Sequence, residues 1–235
     1  MKVMSFNTQH CESYVSGCID FPLMADAIRE SGADIVGLNE MRGAGEIEDF
    51  TDQTAMLSSL TDIENYYFAK AIDVGGKNAP YGNALLSKYP ILSAETIMIP
   101  DPVEKLPNGK WYETRCILKA KLSCGITVLV THFGLNPDEQ ESAVKTILEN
   151  LEPERCILMG DFNVTPENAV LTPIRDRLSD TAVAFEGEKL SFPSDNPRRK
   201  IDYIFVTRDL DIVSADIPPT VASDHRPHIA ELDIF

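Results

Sequence analysis

The chain is poor in the residues that would let it grip nucleic acid. Its 21 Lys and Arg stand against 37 Asp and Glu, a net charge of −16. Affinity for a phosphate backbone comes largely from basic residues gathered on one face. The only basic cluster here is Arg198, Arg199 and Lys200. A long duplex is repelled from most of such a surface, so the charge disfavours a general nuclease without excluding one. No apolar run approaches the ~20 residues that cross a bilayer, and Met1–His10, with one Lys and an early polar turn, does not read as a signal peptide. Five scattered cysteines (Cys11, Cys18, Cys116, Cys124, Cys156) form no CxxC pair, which points to reduced thiols and a cytoplasmic setting. No GxSxG elbow and no Walker loop is present. Repeats, low-complexity tracts and linkers are also missing, so residues 1–235 read as one domain, expected to be a monomer.

What remains is an ordinary globular balance, 43% apolar and 25% charged. Strands are predicted at Lys2–Phe6, Ile35–Leu38, Tyr66–Ala71, Asn83–Ser87, Ile91–Ile99, Thr114–Leu122, Ile126–His132, Arg155–Met159, Asp202–Val206 and His228–Ile234. A helix over Asp20–Glu30 has Asp20 as cap, Pro22 in its first turn and Gly32 at its end. A second begins at Asn136-Pro137 and keeps Ala143, Val144, Ile147, Leu148 and Leu151 on one face. Residues 100–111 are expected to form a loop. Strands alternate with helices only in part, which predicts two mixed sheets packed face to face with helices outside.

Six segments put polar residues directly after apolar strands: Phe6-Asn7, Asn39-Glu40, Thr131-His132, Gly160-Asp161-Phe162-Asn163, Ile201-Asp202 and Ser223-Asp224-His225. One such carboxylate is most often a solvated strand end or a helix cap. Six segments together suggest a site, because a rigid sheet fixes groups that loops alone do not. Hard divalent cations want oxygen ligands, so Glu40, Asp161 and Asp224, with the amides Asn7 and Asn163, make a candidate Mg²⁺ or Mn²⁺ site. Two histidines near carboxylates suit a developing phosphoryl charge. No Cys accompanies them, which speaks against structural zinc. Metal-assisted hydrolysis is the simplest reaction this set supports.

In order, MSFN, GLNE, YGNALLS, THF, GDFN, IDYIF and SDHRP resemble the motifs of the endonuclease/exonuclease/phosphatase superfamily, from Met4 to Pro227. GDFN and SDH are the specific part. The resemblance implies a DNase I-like four-layer α/β sandwich and a metal-dependent hydrolase that cleaves a phosphoester by in-line attack of an activated water. It makes Glu40 the principal metal ligand, supported by Asn7, with Asp224 completing the metal or hydrogen-bond shell. Asp161 binds metal or orients the water, and Asn163 holds that water or a phosphate oxygen. Asp202 orients His225, which contacts the scissile phosphate. His132 matches the second His of the deoxyribonuclease and sphingomyelinase branches, a candidate acid for the leaving oxygen. The deoxyribonuclease branch backs that His with a Glu near the YGNALLS segment, where this chain has Gly82 and Asn83. Asn83 is expected at the site floor and, with Asn163 and Arg115, near substrate.

Plainer readings stand beside these. Asn7 suits a strand-end cap, Asp202 a strand terminator, and Arg115 an edge-strand charge. His10 and His228 match no motif and are expected at the surface or in packing. Trp111, Tyr112 and Phe192 line a substrate pocket or cover core edges; Arg198–Lys200 attract an anion or form a solvated loop. The acidic surface favours a small-molecule or lipid-derived phosphoester as substrate. A DNA-repair or DNA-end hydrolase is the rival activity, and an inactive binding module on the same scaffold is the rival of another class. The second has less support, since Glu40, Asp161, Asp202 and His225 are all present.

Overall fold

Among the described residues twelve strands form where β-branched and aliphatic runs are bounded by turn residues, and each six of them make one mixed sheet. The computed structural model describes residues 1–47 and 50–234. Along the chain run β1 (Lys2–Asn7), α1 (Phe21–Ser31), β2 (Ile35–Arg42), α2 (Gln53–Thr61), β3 (Asn65–Asp73) and β4 (Pro80–Ser87). Then come β5 (Ile91–Met98), β6 (Cys116–Leu122), β7 (Thr127–His132), α3 (Pro137–Asn150) and β8 (Cys156–Asp161). The one-turn α4 (Thr172–Arg175), β9 (Leu178–Asp180), β10 (Asp202–Thr207), β11 (Asp211–Asp216) and β12 (His228–Asp233) complete the fold.

The first sheet has the order β11-β12-β1-β2-β4-β3 and the second β5-β6-β7-β8-β10-β9. Each contains one parallel pair joined through a helix, β1–α1–β2 and β7–α3–β8. Three apolar clusters separate the layers. Val3, Ile35, Leu85, Val130, Met159 and Ile204 pack between the sheets. Met4, Phe6, Val36 and Leu38 pack under α1, and Leu129, Leu158, Tyr203 and Phe205 under α3. The result is the four-layer α/β sandwich. The sheets lie close: a Cβ added at Gly37 of β2 would meet Met159 Sδ of β8 at 2.5 Å.

The helix ends follow their sequences. Asp20 accepts a hydrogen bond from Leu23 N at 3.0 Å, and Gly32 closes α1 in the left-handed region at φ 66°. Asn136 and Glu139 form a capping box ahead of α3, with Pro137 in its first turn. Among the described residues, no helix is long and apolar enough to cross a membrane.

Strand parity decides what reaches the site. Side chains alternate between faces, so Val3 and Asn7 share the inter-sheet side of β1 while Met4 and Phe6 face the helix. By the same count His132 follows Val128 and Val130, Asp161 follows Ile157 and Met159, and Asp202 precedes Ile204 and Val206. Glu40 breaks the count, because it shares parity with Val36 and Leu38, which face α1. A register shift between Leu38 and Met41 corrects this: Met41 takes the helix-facing place, and Glu40, at φ 61°, is freed to turn toward the site. β2 thus continues two residues past Glu40 instead of ending before it, as the sequence suggested.

Candidate active site

The carboxyl ends of β1, β2, β7 and β8 and the start of β10 meet at one rim between the sheets. Asn7 bridges them. Its Nδ2 donates to Glu40 Oε1 at 3.0 Å and to Asp161 Oδ2 at 3.1 Å, so one amide holds two carboxylates from different sheets. Asp161 is 1% exposed, and its Oδ1 accepts from Asn163 N at 2.8 Å. Burial pushes the Asp161 carboxyl up, but His225, the His132 hydrogen bond and charge, and the Asn163 N–H outweigh it and hold it well below the usual range. Glu40 is only half-buried. Burial raises it too, and His132, the Asn7 amide and His225 together leave it lowered.

His225 is clamped from behind. Its Nδ1 donates to Asp202 Oδ2 at 2.9 Å, while Nε2 lies 3.6 Å from Asp161 Oδ2. Burial lowers the imidazole, but Asp202 and Asp161 overcome it and push it up to about 10. Burial also raises Asp202 against the pull of His225. The pair shares one proton, which belongs on His225 because further carboxylates face that ring. The loop carrying it is stitched to residues 191–194: Ser194 Oγ donates to Ser223 O at 2.6 Å, and Arg226 N to Ser191 O at 2.8 Å. Phe192 packs its ring 4.8 Å from the His225 ring. Asp224 accepts from Ser223 Oγ at 3.0 Å, and burial raises its carboxyl over the lowering effect of His225.

His132 occupies the opposite wall. Its Nδ1 lies 3.0 Å from Arg115 Nη1, and its Nε2 lies 3.1 Å from Asn163 Nδ2 and 3.4 Å from Asp161 Oδ2. Glu113 Oε1 holds Arg115 Nη1 at 2.6 Å. Burial, together with the nearby Glu40 carboxylate, pushes the Tyr81 phenol far up.

Asn7, Glu40, His132, Asp161, Asn163, Asp202 and His225 therefore meet at this rim, with Asp224 next to His225, whereas other residues singled out from the sequence lie beneath it or away from it. Asn83 lies under the site: it is 2% exposed, donates to Cys116 O at 2.9 Å and accepts from Asn39 Nδ2 at 2.8 Å. Buried and engaged at both ends, it is a floor residue. Arg115 is turned onto His132 instead of outward. Lys200 departs from the solvated loop expected of it, being buried over the Tyr203 ring at 3.3 Å with Asp180 at 3.8 Å, and burial brings it down to about 8. Arg198 and Arg199 stay exposed. Trp111 is 77% exposed, and Tyr112 donates to Asp138 Oδ2 at 2.8 Å, so neither lines the site. His228 is a packing residue, 3.0 Å from Thr181 Oγ1; His10 is half-buried, 3.3 Å from Glu12. The five cysteines are free, and Cys11, Cys116 and Cys156 are buried.

Sequence reasoning missed Asn39. Its Nδ2 donates to Asn83 Oδ1 at 2.8 Å and to Thr131 O at 2.9 Å, and its Oδ1 accepts from Asp161 N at 2.9 Å. This fully buried amide sews the first sheet to the second beneath the rim. The only signal was its place beside Glu40.

The donor set fits a hard divalent cation. Glu40, Asp161, Asp202 and Asp224 converge on a rim whose cationic groups are the His225 imidazolium and an arginine already paired with Glu113. Buried carboxylates need such compensation. Asp161, Asp202 and His225 offer ligand atoms within 4.8 Å of one another. The His225–Asp202 bond makes that trio a hydrogen-bonded relay, so the side bounded by Glu40, Asp161 and Asn7 is the better cradle.

Known proteins share this architecture. The uncharacterized protein YbhP of Escherichia coli is 28% identical, with 99% of this chain and 96% of that protein covered. An endonuclease/exonuclease/phosphatase structure from Beutenbergia cavernae superposes with a TM-score of 0.79 at 23% identity, over 100% of this chain and 71% of that one. A mannosyl-6-phosphatase from Bacteroides thetaiotaomicron does so with a TM-score of 0.78 at 16% identity, both chains being covered in full (100%). A family model matches residues 4–225, and the chain belongs to the Endonuclease/Exonuclease/phosphatase family.

Proposed function

We propose that the protein is a Mg²⁺- or Mn²⁺-dependent phosphoesterase acting on a small or lipid-derived phosphoester. The convergence of Asn7, Glu40, Asp161, Asn163, Asp202 and His225 from two sheets onto one rim carries this reading. Glu40, Asp161 and Asn7 would hold the cation, with Asp224 beside them. When bound, it would supply Lewis-acid stabilisation of the phosphoryl and leaving oxygens.

The chain's own groups do the rest. Asp161, held ionised by the groups around it, has oxygen lone pairs left over and orients the attacking water in line with the phosphorus. His225, as imidazolium, donates Nε2–H to an equatorial oxygen, and Asp202 keeps it in that state. Asn163 stands where its amide reaches a second oxygen, and His132 faces the leaving group. The net charge of −16 supports a small substrate over a duplex. The sugar-phosphate activity named for the Bacteroides protein makes a phosphomonoester one worthwhile choice.

The purified protein, with Mn²⁺, Mg²⁺ or EDTA, is to be incubated with bis-p-nitrophenyl phosphate, p-nitrophenyl phosphate and mannose 6-phosphate. Metal-dependent release is expected from one of them, with a loss of about 10³-fold or more in His225→Ala. Turnover that persists in EDTA, or in the variant, rules the reading out. If cleavage is confined to an added abasic duplex, the substrate assignment changes to DNA repair.

A further inference from the structure

His132 is bracketed by two donors, and a neutral imidazole accepts only one hydrogen bond. Arg115 Nη1 lies 3.0 Å from Nδ1 and Asn163 Nδ2 lies 3.1 Å from Nε2. A guanidinium has no lone pair, so the Arg115 contact is a hydrogen bond only if Nδ1 is bare. Asn163 has another acceptor: its Nδ2 donates to Phe133 O at 3.0 Å. The charge-assisted bond is the stronger of the two. An Nε2 hydrogen also finds an acceptor in Asp161 Oδ2 at 3.4 Å.

We infer that Arg115 is a positioning residue that locks His132 in the Nε2–H tautomer, so that this ring presents a donor, not a base, to the reacting phosphoester. The arrangement is built into the sheet. β6 pairs antiparallel with β7, with Ile117 opposite Thr131, so Arg115 lies just outside the start of β6, one residue off the position across from His132, and its long side chain reaches the ring. Glu113, two residues earlier again, holds Nη1 at 2.6 Å, so the guanidinium is fixed from one side and bonded to the ring on the other. Both side chains are largely covered, at 14% and 18% exposure, which limits their freedom to swing away. The two histidines are thereby set by opposite partners. A carboxylate behind His225 holds a proton on Nδ1; a guanidinium behind His132 removes it from Nδ1 and leaves it on Nε2. A ring so held cannot collect the proton of the attacking water, and it can stabilise or protonate the leaving oxygen.

The role in turnover rests on the proposed phosphoesterase reading; the tautomer itself does not, and it is measured separately. Long-range ¹H–¹⁵N correlation spectra of the uniformly labelled full-length chain in EDTA report which ring nitrogen bears hydrogen, with His132→Gln supplying the assignment. The expected result is a bare Nδ1 and a protonated Nε2, kept in Arg115→Lys and lost or mixed in Arg115→Met. A wild-type ring with hydrogen on Nδ1, or an Arg115→Met ring unchanged from wild type, overturns the inference. Wild type alone decides it if Arg115→Met does not fold. If the enzyme proves active, Arg115→Met should lower kcat about 10- to 100-fold, as loss of an orienting partner does, with KM changed less than about twofold. A raised KM with unchanged kcat would instead make Arg115 a substrate contact, and that too overturns the positioning role.

Discussion

The two sheets are built alike and contribute unlike chemistry. Each has a parallel pair joined by a helix, and each delivers its last inward side chains to the same rim. From the first sheet come Asn7 and the half-buried Glu40, the latter placed by a bulge. The second brings His132, Asp161 and Asp202, all buried and hydrogen-bonded to other protein groups. On the proposed reading the labour divides unevenly: Glu40 of the first sheet leaves most oxygen open to an incoming ligand, whereas the second sheet, Asp161 aside, mainly fixes where protons sit. Exposure of a carboxylate, not its mere presence, separates the two tasks.

The sharpest way to break this comparison is to neutralise one carboxylate from each sheet. Asp161→Asn and Glu40→Gln should each cost about 10³-fold in turnover. Calorimetric titration with Mn²⁺ should separate them: binding weakens strongly in Glu40→Gln and less in Asp161→Asn. Equal loss of metal affinity would erase the division. A smaller effect should come from His225. Its folded value of about 10 lies above the ordinary 6.5, so the folded state holds this proton more tightly than the unfolded chain. That contribution is complete below pH 6.5 and is lost as pH rises through about 10. In EDTA, thermal melts should therefore show a decline of a few kcal/mol, roughly, over that window. His225→Gln should flatten it; an unchanged slope would show that the second sheet does not hold the proton there. The smallest effect is expected at the seam. Asn39→Ala leaves Asp161 N, Asn83 Oδ1 and Thr131 O without their partner and should destabilise by about 1–3 kcal/mol, read from urea unfolding. No change in the unfolding midpoint would mean that the two sheets are held without it.

Much of the site was legible because strand parity is local. Once Val3, Ile157 and Ile204 are assigned inward, Asn7, Asp161 and Asp202 follow by counting, and each lies at a strand end visible in the sequence. Glu40 was placed at a strand end by the sequence, but the way it turns was not legible, since the bulge that turns it is set by pairing with β4. Asn39 and the Arg115–His132 bond were illegible for a related reason: they join residues 122 and 17 positions apart, and no local pattern encodes such a partner. Among elements, α2 escaped notice because QTAMLSSLT carries no apolar stripe at helical spacing. β11 escaped because DIVSAD is an edge strand, mostly exposed. The loop over 100–111 and the cap at Asn136 are as the sequence suggested.

Asn7 has one further consequence. Because a single amide touches carboxylates rooted in opposite sheets, it behaves as a caliper, and the gap it spans is set by what fills the interior below. Gly37 and Met159, in contact range across that interior, therefore help determine the gauge of the rim from deep inside the protein. Interior volume changes in this protein should alter rate as well as melting temperature.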